Sequence, residues 1–123
     1  MNSKTGGEDG MAETIPPSLL LVLSNFPDTD VARSIGREMV SNDLAACVNL
    51  VPKVESIYKW EGNLESNDEV LAIFKVSSER YSDFKKTLSK KHPYDVPEIV
   101  ALRGDDVNAG YLEWALGKGK RFE

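Results

Sequence analysis

The chain has 123 residues and a mass of 13.6 kDa, with 41% hydrophobic and 28% charged residues. That length suits one compact domain, which buries roughly two thirds of the unfolded chain's surface and needs no disulfide or metal staple. A net charge of -5 and a pI near 4.9 oppose general nucleic-acid binding, which requires a basic surface to displace counterions from phosphates.

The single cysteine, Cys47, cannot form an internal disulfide, and with the single histidine, His92, it falls short of the roughly four N or S ligands of a zinc finger. One free thiol fits a reducing compartment, and the expected location is cytoplasmic. Residues 1–17 are Gly-rich and polar and lack the basic and apolar regions of a secretory signal. They are expected to be a disordered tail closed by Pro16 and Pro17.

The longest apolar run, residues 19–23, is five residues against the roughly 20 needed to cross a bilayer, so no membrane insertion is expected. Residues 18–24 form a continuous apolar stretch, the pattern of a central strand buried on both faces. Asp28 or Thr29 caps a helix in which Val31, Ala32, Ile35 and Met39 share one stripe, opposite Arg33 and Arg37. Residues 45–51, containing Cys47, read as a second strand, which Pro52 breaks or bends.

Residues 54–60 then alternate, with Val54, Ser56, Tyr58 and Trp60 on one face and Glu55, Ile57 and Lys59 on the other. A strand apolar on both faces is poorly satisfied as a monomer's edge, which points to pairing or packing against another subunit. A turn at 61–63 leads to a strand over 69–76. Ser77 or Ser78 caps a helix with Tyr81, Phe84 and Leu88 on one stripe, ended by His92 and Pro93. A short strand over 99–102, a loop over 104–108 and a last helix capped by Asn108 follow; residues 118–123 read as a short basic tail. The fold class is α+β: a split βαβ plait, βαββαβ plus a C-terminal helix, spanning 18–117, with an antiparallel sheet covered by helices on one face. The other face calls for a ligand or oligomerisation.

Four motifs, AACVN at 45–49, SIYKWEG at 56–62, HPYDVPE at 92–98 and YLEW at 111–114, resemble the CutA family of divalent-cation tolerance proteins, over about residues 20–116. The resemblance implies a ferredoxin-like homotrimer, architecturally related to PII signalling proteins, that binds copper or another divalent ion and contributes to metal tolerance. Some family members carry a further cysteine where this chain has Ser24 and Asn25, so one soft ligand is missing here.

The candidate metal ligands are Cys47, His92 and Glu98. Sulfur suits Cu(I), imidazole suits Cu, Zn and Ni, and carboxylate suits harder ions. The ordinary alternatives are burial of Cys47 as a small hydrophobe and a helix-capping role for His92. One histidine per chain means that a site with several imidazoles must be assembled between subunits. Tyr58, Trp60, Tyr94 and Trp114 match the family motifs and are candidates to line an intersubunit cleft, although aromatics in a small domain more often serve packing. Lys75 lies in an apolar strand, where a cation pairs with a carboxylate, Glu98 or Glu61, or with an anionic ligand.

No GxSxG elbow, P-loop, GxGxxG or HExxH is present, so no enzyme activity is expected. The alternative to metal binding is a PII-like signalling or scaffold trimer, which takes a small anion or a protein partner in its cleft.

Overall fold

The computed structural model describes residues 15–118. Among them the elements are β1 (Leu19–Phe26), α1 (Thr29–Ser41), β2 (Cys47–Trp60), β3 (Asn63–Ser77), α2 (Tyr81–Lys91), β4 (Val100–Arg103) and α3 (Ala109–Ala115). The strands form one antiparallel sheet in the order β2-β3-β1-β4. This is the expected ferredoxin-like plait. Most of residues 1–17 and 118–123, read as tails, lie outside the described residues.

β1 is internal, with β3 on one side and β4 on the other; Val22 and Phe26 are buried on its helix-covered face, but Leu21 and Leu23 on the other face are only half-buried, so the expected burial on both faces is not reached within one chain. Val22, Ser24 and Phe26 point to the helices, and the register places Phe74, Ala72 and Val70 of β3 beside them. Phe26, Phe74, Phe84, Met39, Leu88 and Val22 are fully buried in this layer. Burying each such side chain stabilises by about 1.5–3 kcal/mol. Phe74 and Phe84 meet edge to face with ring centroids 5.0 Å apart.

The Asp28 side chain accepts the Val31 N–H at 2.9 Å and starts α1 as expected. Ala32, Ile35, Gly36 and Met39 form its buried stripe. A Cβ on Gly36 would lie 3.1 Å from Val48 Cγ1, so the absent side chain is what lets α1 sit close to β2. Lys91 Nζ donates to Glu38 Oε2 at 2.7 Å and ties α2 to α1.

Four local expectations change. Residues 45–51 and 54–60 are one strand, β2, because Pro52 and Lys53 (φ 60°) are absorbed in a bulge between Val51 and Val54. β3 begins at Asn63 rather than 69, since the polar residues 63–68 are drawn into the ladder opposite 54–60. α2 has Arg80 at its N-cap with no side-chain cap bond. Ser77 Oγ instead accepts the Glu79 N–H, and Ser78 Oγ accepts the Ser18 N–H at 2.9 Å. β4 runs one residue later than 99–102, whereas Asn108 caps α3 through Gly110 and Tyr111 as expected.

Among the described residues the second face of the sheet carries no helix layer like that of α1 and α2 and is mainly apolar. The register puts Leu21, Leu23, Leu71, Ile73 and Val51 there, with Val100 and Leu102 of β4 beside them. Val51, Val100 and Leu102 remain 39%, 45% and 48% exposed, so large apolar side chains face solvent in the isolated chain. Within this face, Cys47, Asn49 and Lys75 form a polar island.

Candidate functional site

The 92–98 segment, with prolines at 93 and 97, passes the end of β1 near Asn25. His92 closes α2 by donating its backbone N–H to Leu88 O at 2.9 Å. Its ring turns inward: the residue is only 7% exposed and stacks on Phe26. Nδ1 accepts the Tyr94 N–H at 3.1 Å, so the neutral ring carries its proton on Nε2, which donates to Asn25 O at 2.8 Å. Both nitrogens are therefore occupied. Burial lowers the His92 pKa below its ordinary value, against smaller opposing effects of the Asn25 carbonyl and the Glu69 carboxylate.

Two residues further on, Tyr94 Oη donates to Glu69 Oε2 at 2.6 Å. Burial, and then this bond to Glu69, raise the phenol's pKa above its ordinary value, with Tyr58 and Asp28 close enough to contribute. Tyr58 Oη in turn accepts a hydrogen bond from Asn67 Nδ2.

Asn25 is where these parts meet. Its Nδ2 lies 3.4 Å from Glu69 Oε1 and 3.4 Å from Glu98 Oε1, and its Oδ1 is buried without a hydrogen-bond partner among the described residues. Glu69 follows from strand period: it shares a face with Leu71, Ile73 and Lys75 on β3. Neither Asn25 nor Glu69 was a candidate on sequence grounds. The available signal was parity, because both are polar residues in step with apolar ones on the same sheet face.

The structure thus gathers His92, Tyr94 and Glu98 at Asn25 and Glu69, with Tyr58 close by, and places the other candidates elsewhere. Cys47 sits opposite Lys75, whereas Asn25 sits opposite Leu71, which puts Cys47 roughly 13 Å away along the strands and about 10 Å across them. Lys75 is bound by the Asn49 side chain and has no carboxylate partner among the described residues; the expected pairing with Glu98 or Glu61 is not formed. Trp60 is at the hairpin end of β2, opposite Asn63 and 63% exposed. Trp114 lines two hollows beside Val40 and Ala46 near the end of α1.

No cluster of three or more His, Cys, Asp or Glu side chains suited to a metal forms among the described residues. Cys47, His92 and Glu98 do not fit a copper ion within one chain, since sulfur and imidazole are far apart and the imidazole is committed.

The family model described as CutA1 divalent ion tolerance protein matches residues 20–118. The divalent-cation tolerance protein CutA of Thermus thermophilus is 42% identical over 94 residues, covering 76% of this chain and 91% of that protein. Protein CutA of Homo sapiens is 38% identical over 100 residues, 81% of this chain but 56% of that protein, so the chain spans little more than half of the mammalian relative. Among solved structures, the Thermus thermophilus protein superposes with a TM-score of 0.78 at 38% identity, covering 83% of this chain and 99% of that one. CutA1 from Oryza sativa gives 0.79 at 32% identity, with 85% and 96% coverage. The fold, the four motifs and these matches agree: the chain belongs to the CutA1 divalent ion tolerance family.

Proposed function

We propose that the protein is a non-enzymatic, cytoplasmic homotrimer that binds divalent metal ions, copper among them, and contributes to metal tolerance. The observation that carries this reading is the apolar second face of the sheet, which holds a polar island that includes Cys47, at the start of the edge strand β2. Packing such faces together removes Val51, Val100 and Leu102 from water, at roughly 25 cal/mol for each Å² of apolar surface. It also brings together copies of a thiol that is alone within its own chain, which a soft ion requires. His92 supports the fold next to the Asn25 cluster rather than supplying this ligand, since both ring nitrogens are bonded.

Calorimetric titration with Cu(II), and of the reduced protein with Cu(I), tests the copper reading. Wild type and His92→Ala are expected to bind alike and Cys47→Ser at least tenfold more weakly. Equal binding by wild type and Cys47→Ser would overturn it.

Lys75 favours a second reading, a PII-like module that holds a small anion or an acidic partner between chains. A half-buried ammonium whose bonded partner is a neutral amide keeps its attraction for an anion. A thermal-shift screen of phosphate and carboxylate metabolites tests this, because a ligand in excess over its Kd raises stability. A shift abolished by Lys75→Ala would support the reading, and no shift with any anion would remove its small-molecule form.

A further inference from the structure

The segment that follows α2 crosses the end of β1 with little of its own backbone tied down. Among the described residues, 93–98 make no backbone-to-backbone hydrogen bond, and Pro93 and Pro97 have no N–H to donate. Pro93, Asp95, Val96 and Glu98 are exposed. Side chains hold the segment instead: the His92 ring on Phe26, Tyr94 Oη on Glu69 Oε2 at 2.6 Å, and a long 3.4 Å contact from Asn25 Nδ2 to Glu98 Oε1. The Tyr94 N–H is also bonded, and its acceptor is His92 Nδ1 at 3.1 Å.

That acceptor is titratable. Nε2 already carries a proton and donates it to Asn25 O, so the Nδ1 lone pair that takes the Tyr94 N–H is the one basic position on the neutral ring. A proton arriving there turns the acceptor into a donor and sets one N–H against another. Because the ring is buried, both the imidazolium charge and the displaced N–H count against the closed arrangement. We propose that residues 92–98 are an acid-released strap: protonation of His92 at Nδ1 expels the Tyr94 N–H, and the segment lifts from the end of β1 while the sheet and helices stay folded.

The contacts are linked in series. Displacing the Tyr94 backbone draws its phenol off Glu69, and the weak Glu98 contact is too long to hold the segment alone. Opening uncovers Asn25, Glu69 and one face of Phe26, and it places the imidazolium in water. The core does not depend on the strap, since β1 is paired with β3 from Leu19 to Phe26 and Phe74, Phe84, Met39 and Leu88 pack between sheet and helices.

The charged and titratable groups around the ring set the direction. β1 itself carries none, with Asp28 just beyond it; β3 contributes Glu69, and β2 contributes Tyr58 on the far side of Tyr94. The strap carries Tyr94, Asp95 and Glu98, and the Lys91 ammonium at the end of α2 is taken by Glu38 of α1. Glu69 favours the imidazolium, but burial outweighs it, so the strap is closed at neutral pH and opens below the ordinary histidine value of 6.5.

Nuclear magnetic resonance of the isotope-labelled full-length protein from about pH 7.5 to 4.5 tests this. The single histidine gives one Cε1–H signal, which reports ring protonation, and exchange of the Tyr94 amide with water, relative to an unstructured chain, reports the strap. Protection of that amide is expected to fall at least tenfold with the midpoint of the histidine signal, while the Val22 and Phe74 amides keep theirs. His92→Phe, which retains a ring against Phe26 and cannot be protonated, should show no such midpoint. Tyr94 protection that persists through the histidine titration would overturn the proposal. So would protection lost only together with that of Val22 and Phe74, which is global unfolding. Both curves are measured in wild type, so the test stands even if the variant does not fold.

Discussion

His92 stacks on Phe26 with ring centroids 4.5 Å apart and planes inclined by 19°, so the chain's single imidazole forms part of the wall of its core. Three things hold the ring: the stack, the bond to Asn25 O and the bond from Tyr94 N–H. His92→Ala removes all three and is expected to cost about 2–4 kcal/mol, from the aromatic contact, the orphaned backbone groups and the cavity. The midpoint of urea unfolding would show it. A change below about 0.5 kcal/mol, the range of ordinary surface substitutions, would mean that the ring is not structural.

The same burial gives a pH dependence with a definite sign. Because the folded pKa lies below the unfolded value of about 6.5, the unfolded chain takes up a proton first as the solution is acidified. Stability from the neutral ring is complete above about pH 6.5, falls as pH drops through that value, and levels off below the folded pKa. Unfolding midpoints measured from about pH 7.5 to 5 should show this loss in wild type, and His92→Phe should lack that component.

Tyr94 supplies the alkaline counterpart. Its phenol stays protonated above the ordinary range in the folded protein, so the unfolded chain ionises first and stability declines above about pH 10. Ultraviolet titration of the four tyrosines should show one ionising only as the protein unfolds, and Tyr94→Phe should remove that late step. At neutral pH the same substitution should cost about 1 kcal/mol through the lost bond to Glu69.

Much of this was legible in the sequence, and the failures have physical causes. The run at residues 19–23 marked a central strand, although only one of its faces is fully buried, and the 3.6-residue spacing of Ile35 and Met39, and of Phe84 and Leu88, marked the buried helix faces. Residues 63–68 did not read as strand because their polar side chains carry no packing signal; backbone pairing with 54–60 alone extends them. Pro52 suggested a break because a bulge that absorbs a proline has no distinct composition. Asn25 and Glu69 escaped notice because a polar residue at a strand end ordinarily faces water, and only the passage of residues 92–98 over the sheet brings them together. Lys75 and Trp114 were candidates for a cleft with Tyr58 and Tyr94, but the strand register and the packing of α3 place them elsewhere.

Ser24 supplies a prediction of opposite sign. Its side chain is fully buried among apolar neighbours and Oγ has no hydrogen-bond partner among the described residues. Ser24→Ala removes the orphaned hydroxyl while leaving nearly the same shape, and is expected to raise stability by about 1 kcal/mol. A lower urea midpoint for this variant would contradict the reading of the hydroxyl as unsatisfied.

The central claim is that the apolar second face of the sheet is covered by other copies of the chain, with metal held between them. Light scattering on purified protein at micromolar concentration tests it most directly. The predicted molar mass is three times the 13.6 kDa of one chain, unchanged on dilution. A mass of 13.6 kDa at that concentration would contradict the account, because Val51, Val100, Leu102 and Cys47 would then face water in the working protein.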